Sequence, residues 1–232
     1  MEESAHAPFS LSLPVPALLE YVARQLGTTY PDIDEADAVM SVMTDTLDRL
    51  EHCIRHVRIK GFWDHDGPRF NHLNSDQYAI FLYYLSNTAF GAGYVSLAAK
   101  AYGLNKALHS LDAYYEVELP AIFALVHPVG TVLGRATYSD YFCAYQNVAV
   151  GVDPFAPGNP AFGEGVVLYG GSRVVGNVNV GENCFVSAGT SIVGRRGESL
   201  QIPGGHVAFG APTFQTKRSR HHVKRDIFKD VV

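Results

Sequence analysis

Residues Phe162 to Ile192 read FGEGVVLYGGSRVVGNVNVGENCFVSAGTSI, and this stretch decides the fold. Aliphatic or aromatic residues recur every sixth position at Phe162, Leu168, Val174, Val180, Val186 and Ile192. A second small or apolar set, Val166, Ser172, Val178, Cys184 and Thr190, follows each of the first five by four places. Neither a helix nor a simple strand alternation places both sets at a common spacing of six, whereas stacked coils of a parallel β-helix do. The beat continues upstream through Val126, Val132, Tyr138, Ala144 and Val150, with Ala136, Phe142 and Val148 in the second position. It lapses at Val152-Asp153-Pro154-Phe155-Ala156-Pro157-Gly158-Asn159-Pro160, where prolines forbid ordinary pairing, so a loop is expected to leave the coil there.

Upstream of the coil the grammar changes. Pro14 to Gln25, with Leu18, Leu19, Val22 and Leu26 near helical spacing, predicts a helix that Gly27 stops, and Asp34 to Arg58 predicts a second. Asn74 or Ser75 is placed to cap a third helix carrying Tyr78, Phe81, Leu82 and Leu85, and a fourth is expected from Tyr94 to Leu111. Phe62 to Pro68, with an aromatic pair, two carboxylates and a histidine, reads as a surface turn or a substrate-facing loop. The expected organisation is an α-helical domain over 1–111, a β-helix over 112–215 and a basic tail over 216–232, an α+β architecture.

The chain has 232 residues, 47% of them hydrophobic, enough for a packed core. A net charge of -5 gives no reason to expect nucleic acid as a partner. Cys53, Cys143 and Cys184 form no C-x-x-C pair and read as buried thiols of a reducing compartment. Met1-Glu2-Glu3 lacks the basic start of a secretory signal, and the apolar runs are too short to span a bilayer, which together suggest the cytoplasm.

Only His127 and His206 lie within the hexads, too few imidazoles for a catalytic zinc, so no metal is expected. His127 stands beside a beat position and is expected to face outward. Asp112 precedes it by fifteen residues, Glu116 and Glu118 by fewer, and a coil of three hexads is about that long. One of these carboxylates would then hold the imidazole as a general base towards an attacking hydroxyl.

The run from His127 through Gln146-Asn147-Val148-Ala149-Val150-Gly151, the Pro-rich loop and Gly165 to Gly181 resembles the hexapeptide-repeat serine acetyltransferases, over roughly residues 75 to 215. The resemblance implies a left-handed β-helix, trimers with sites between subunits (or hexamers joined through the helical domains), and acetyl-CoA as donor. His127, with Gly130 and Gly134, fits the family's His-x-x-Gly-x-x-x-Gly run and would deprotonate the acceptor. Asp112 matches the paired aspartate by spacing, with Glu118 second. Gly170 and Ala188 match positions beside the pantetheine, Ala211-Pro212 resembles the closing turn, and Lys217 and Arg218 beyond it would meet the nucleotide phosphates. Val126 replaces the acid that precedes the family's histidine, and Gly158-Asn159 replaces an Arg-His pair before proline. The resemblance therefore implies acetyl transfer to a small hydroxylated acceptor, serine-like first, with a sugar O- or N-acetyltransferase or a non-catalytic scaffold as the alternatives.

Overall fold

The computed structural model describes residues 7–32, 34–154, 158–194, 199–210 and 213–229. Four helices come first: α1 (Val15–Thr29), α2 (Ala36–Arg55), α3 (Ser75–Gly91) and α4 (Val95–His109). A short parallel ladder of β1 (Ser10–Leu11) on β2 (Arg69–Phe70) ties the N-terminal segment to the turn before α3. α1 runs through Gly27, contrary to the expected stop, and ends at Thr29 because Pro31 disfavours helical geometry in Tyr30 before it. Asn74 caps α3 as its position predicts, its side chain accepting from the amides of Asp76 and Gln77. Tyr83, Tyr84 and the rest of α3 from Gln77 to Asn87 are buried, so α3 is the central rod on which α2 and α4 pack.

The second half winds into a parallel β-helix with three walls. The first wall holds β3 (Phe123–Val126), β6 (Phe142–Tyr145), β9 (Val166–Leu168), β12 (Cys184–Val186) and β15 (His206–Phe209). The second holds β4 (Val132–Leu133), β7 (Ala149–Gly151), β10 (Arg173–Val175) and β13 (Ser191–Val193). The third holds β5 (Thr137–Tyr138), β8 (Ala161–Phe162), β11 (Val178–Val180) and β14 (Leu200–Ile202). Chain order visits the walls in strict rotation, and every pair within a wall is parallel until the end. Both hexad sets point inward: Phe162, Leu168, Val174, Val180, Val186 and Ile192 are buried, as are Val166, Ser172, Val178, Cys184 and Thr190. Tyr138, Phe142 and Phe162 fill the wider coils with ring contacts of 5.0 to 5.4 Å.

The beat slips in the first coil. Leu125, not Val126, pairs with Ala144, and Leu133, not Val132, pairs with Val150, while Val132 is 40% exposed. The corner between β3 and β4 takes two more residues than a hexad allows. His127 enters it with φ 49°, Val129 N–H closes on the His127 carbonyl and Thr131 N–H on that of Pro128. Later coils carry their surplus residues between the second and third walls, in the intervals from β7 to β8 and from β13 to β14.

The two halves share one core. Cys53 of α2 donates to the Phe123 carbonyl, Tyr84 of α3 donates to that of Ala121, and the helices cover the first wall around β3 and β6. β16 (Gln215–Arg218) then adds antiparallel to β15 and closes the wall. The chain continues through α5 (Val223–Asp226) back to the helical half, where Phe228 bridges Val57. Ala211-Pro212, read as a closing turn, lies outside the described residues, as does Phe155-Ala156-Pro157 of the Pro-rich loop.

Candidate active site

The corner between the first and second walls carries the residues that the sequence singles out. Leu125, Ala144, Leu168 and Val186 are paired in succession across four coils. Two residues beyond the last three stand Gln146, Gly170 and Ala188, which rise along one edge; Asn147 N–H binds the Val129 carbonyl, so in the first coil Val129 continues this column and His127 lies two residues before it, at the entry to the widened corner. Gly171 N–H binds the Gln146 carbonyl and Gly189 N–H binds that of Gly170, locking the stack. With strands about 4.8 Å apart, Ala188 lies roughly 14 Å along this edge from the corner that His127 enters. The edge is solvent-facing at His127, Gln146 and Ala188.

Sequence explains the shape of that edge. Glycine at 170 and alanine at 188 leave the backbone uncovered, and among the described residues their amide N–H groups donate to no acceptor within the chain. A Cβ at Gly170 would meet the Gln146 amide nitrogen at 2.9 Å, the end of a movable side chain, and the backbone there only at an ordinary 3.5 Å. Tyr145 and Tyr169 flank the column with ring centroids 5.1 Å apart. Burial, with smaller contributions from Cys143 and Tyr169, pushes the Tyr145 phenol up to about 12, so it is a neutral donor near neutral pH.

His127 is held in the left-handed region, a conformation that costs a non-glycine residue about 1–3 kcal/mol and tends to mark functional positions. Its side chain is 77% exposed, and Nδ1 lies 3.8 Å from Oδ2 of Asp76. Asp76 sits in the first turn of α3, where unpaired helix amides favour negative charge. Its carboxylate is only 13% exposed, and Oδ1 has no hydrogen-bond partner.

Asp112, expected opposite His127, is engaged elsewhere. Lys106 donates to Oδ2 at 2.7 Å and Tyr102 to Oδ1 at 2.7 Å, because α4 ends in a left-handed Ser110 that turns the chain back along its own last turns. Burial works against ionisation of Asp112, but these two donors outweigh it and hold the carboxyl below its ordinary range. Its backbone bridges Val132 at the start of the first coil. Glu118, the second choice, accepts a 3.4 Å bond from Asn87 on α3. The structure thus stacks Gln146, Gly170 and Ala188 along one edge with His127 at the corner that heads it, and it pairs the Asp112 side chain with Lys106 and Tyr102. Lys217 and Arg218 lie on β16, at the opposite end of the first wall from β3, with Lys217 5.1 Å over the Phe209 ring.

Sequence reasoning missed Asp76, which is fifty-one residues from His127; its only signal was an acid in the first turn of a capped helix. It also missed the docking of the tail. Arg58 donates to the Arg225 carbonyl, Val223 N–H to Asn183, and Lys224 lies 4.6 Å over the Tyr141 ring. Asp64, His65 and Asp66 bring three ligand atoms within 4.8 Å of one another on an exposed turn far in sequence from the coil. Among the described residues no helix is long and apolar enough to cross a membrane.

No protein-family model matches the chain. Over 93 residues it is 29% identical to a serine acetyltransferase of Synechococcus elongatus, a match that spans 39% of this chain and 38% of that relative. Among solved structures, serine acetyltransferase from Vibrio cholerae superposes with a TM-score of 0.68 at 18% identity, covering 89% of this chain and 80% of the other. Serine acetyltransferase from Brucella abortus in complex with coenzyme A gives 0.65 at 19% identity, over 91% and 84%. These likenesses show the fold, a left-handed parallel β-helix behind an α-helical half.

Proposed function

We propose that this chain is an acetyl-CoA-dependent O-acetyltransferase acting on a small hydroxylated acceptor, a serine-like amino acid first. The observation that carries the reading is the single edge on which Gln146, Gly170 and Ala188 are stacked, with the exposed His127 in the widened corner at its head. It offers an imidazole at one end and, two and three coils away, backbone amides free to bind an extended amide-bearing chain such as pantetheine. The small side chains there permit the close approach that such bonds need.

In this reading Nε2 of His127 takes the proton of the acceptor hydroxyl as its oxygen attacks the thioester carbonyl. The C–O bond forms, the C–S bond breaks, and the CoA thiolate leaves and is protonated from the imidazolium. Backbone N–H donors beside the edge stabilise the charge on the carbonyl oxygen. No metal and no covalent acyl-enzyme are needed. The relatives named serine acetyltransferase, one of them in complex with coenzyme A, support the donor. Lys217 and Arg218 remain the groups proposed for the nucleotide phosphates.

Val132, Val175 and Val193 put apolar side chains on the outer face of the second wall, alongside the exposed Arg173, and Val132 and Val193 are 40% and 50% exposed. A second copy of the chain covering that face would enclose the His127 edge, so the working form is proposed as a homotrimer, or a hexamer built from two, in the cytoplasm. A second reading, an acetyltransferase for a sugar hydroxyl or amine, is favoured by Gly158-Asn159 before Pro160, which leave no cation where the resembling family has one. Thiol release from acetyl-CoA in the presence of L-serine, homoserine and amino sugars separates the two. Turnover with none of these, together with no thermal shift from acetyl-CoA, would favour a non-catalytic scaffold instead.

A further inference from the structure

We infer that Asp76, from the helical half, is the positioning residue for His127: its carboxylate accepts the Nδ1 proton and leaves Nε2 free to act as the base. The inference rests on the acetyltransferase reading for its catalytic consequence and on geometry alone for the pair itself.

The two carboxylates that the family resemblance offers for the role have other partners. Asp112 already accepts from Lys106 and Tyr102, and Val126 supplies no charge beside the histidine. Glu118 is bound by Asn87. Asp76 is the carboxylate that the structure places at the imidazole, 3.8 Å from Nδ1, and a small turn of an exposed ring closes that gap to a hydrogen bond. Its other oxygen is buried without a partner, which leaves the carboxylate under-satisfied in a place where desolvation is costly. The Asn74 cap holds the backbone amide of Asp76, fixing the direction of its side chain. Around it stand His109 of α4 and Cys143 of β6, which both feel its charge, and the imidazole of His127. Burial lowers the tendency of His109 to protonate and raises the thiol of Cys143, so both are neutral near pH 7 and leave the carboxylate to His127. The left-handed backbone at His127 thus stands at the corner whose side chain lies beside the start of α3.

The test uses the full-length chain with 15N-labelled histidine. In the wild type the ring signals of His127, assigned through His127→Gln, should report the Nδ1–H tautomer, and Asp76→Asn should shift them towards Nε2–H. In turnover, Asp76→Asn should lower kcat about 100-fold with KM for acetyl-CoA within twofold, and Asp76→Glu should recover part of the loss. An unchanged melting curve shows that both variants fold. The inference is overturned if Asp76→Asn leaves the ring signals unmoved, or if Asp112→Asn moves them in its place. Tautomer control without any acetyl transfer by the wild type would uphold the pair while removing the activity, so the two claims fail separately.

Discussion

At the scale of single residues, the glycines of the coil divide by what surrounds them. Gly170 and Gly181 both sit in tight coil positions, yet the only close approach to a Cβ at Gly170 is the Gln146 side chain, whereas at Gly181 it strikes the backbone of Gly204 at 2.6 and 2.8 Å. Gly181→Ala should therefore cost about 1–3 kcal/mol of stability by denaturant unfolding. Gly170→Ala should fall within about 0.5 kcal/mol of the wild type but raise KM for acetyl-CoA, since its methyl group covers a proposed donor contact. Histidine chemistry sets the acid limit. Burial depresses the affinity of His109 for a proton, as it does for His72 and, with help from His56, for His52. A base harder to protonate folded than unfolded costs nothing above its ordinary value near 6.5 and destabilises progressively below it. Asp112 acts in the same direction at lower pH, because its depressed carboxyl contributes stability above about pH 4 that is lost as acid protonates it. Melting temperature should thus fall from pH 7 to 5, and His109→Gln should flatten that slope; a slope unchanged by His109→Gln would remove His109 from the account.

At the scale of elements, the strap formed by β16 and α5 behaves differently from the coil it embraces. Val223 and Phe228 are fully buried, Phe228 against Tyr141 and Val57, but the rest of the strap is largely exposed. Phe228→Ala should release the tail to limited proteolysis at enzyme concentrations that leave the wild type intact, with a small change in the main melting transition. Phe162→Ala, in the coil core between Tyr138 and Phe142, should instead lower global stability by about 3–5 kcal/mol. The contrast also shows what the sequence could carry. Inward positions repeat because each coil buries its own ring of side chains, so the hexads from Phe162 to Ile192 could be read from a local rule, and Asn74 announced its helix the same way. The first-coil slip could not be read, because the wide turn at His127-Pro128 keeps hydrophobic residues at both Leu125 and Val126. Nor could the pairs Asp76 with His127 or Val57 with Phe228, which depend on how the two halves pack and leave no spacing to detect. Asp112 sat at the right interval from His127, yet the left-handed Ser110 presents it to Lys106.

At the scale of the molecule, the helical half, the coil and the strap enclose the first wall, while the second wall stays open and carries Val132, Val175 and Val193. If that face joins copies of the chain, Val175→Asp combined with Val193→Asp should convert the trimer to monomers by light scattering, with the fold retained by circular dichroism. A trimer unaffected by both changes would place the interface elsewhere. The proposed chemistry concentrates on one imidazole at the edge of this face. Its most direct test is CoA thiol release from acetyl-CoA with L-serine, measured side by side for the wild type and His127→Ala. The account predicts turnover by the wild type and a loss of at least about 1,000-fold in kcat for the variant, with the assembly intact. Turnover by His127→Ala near the wild-type rate would contradict it.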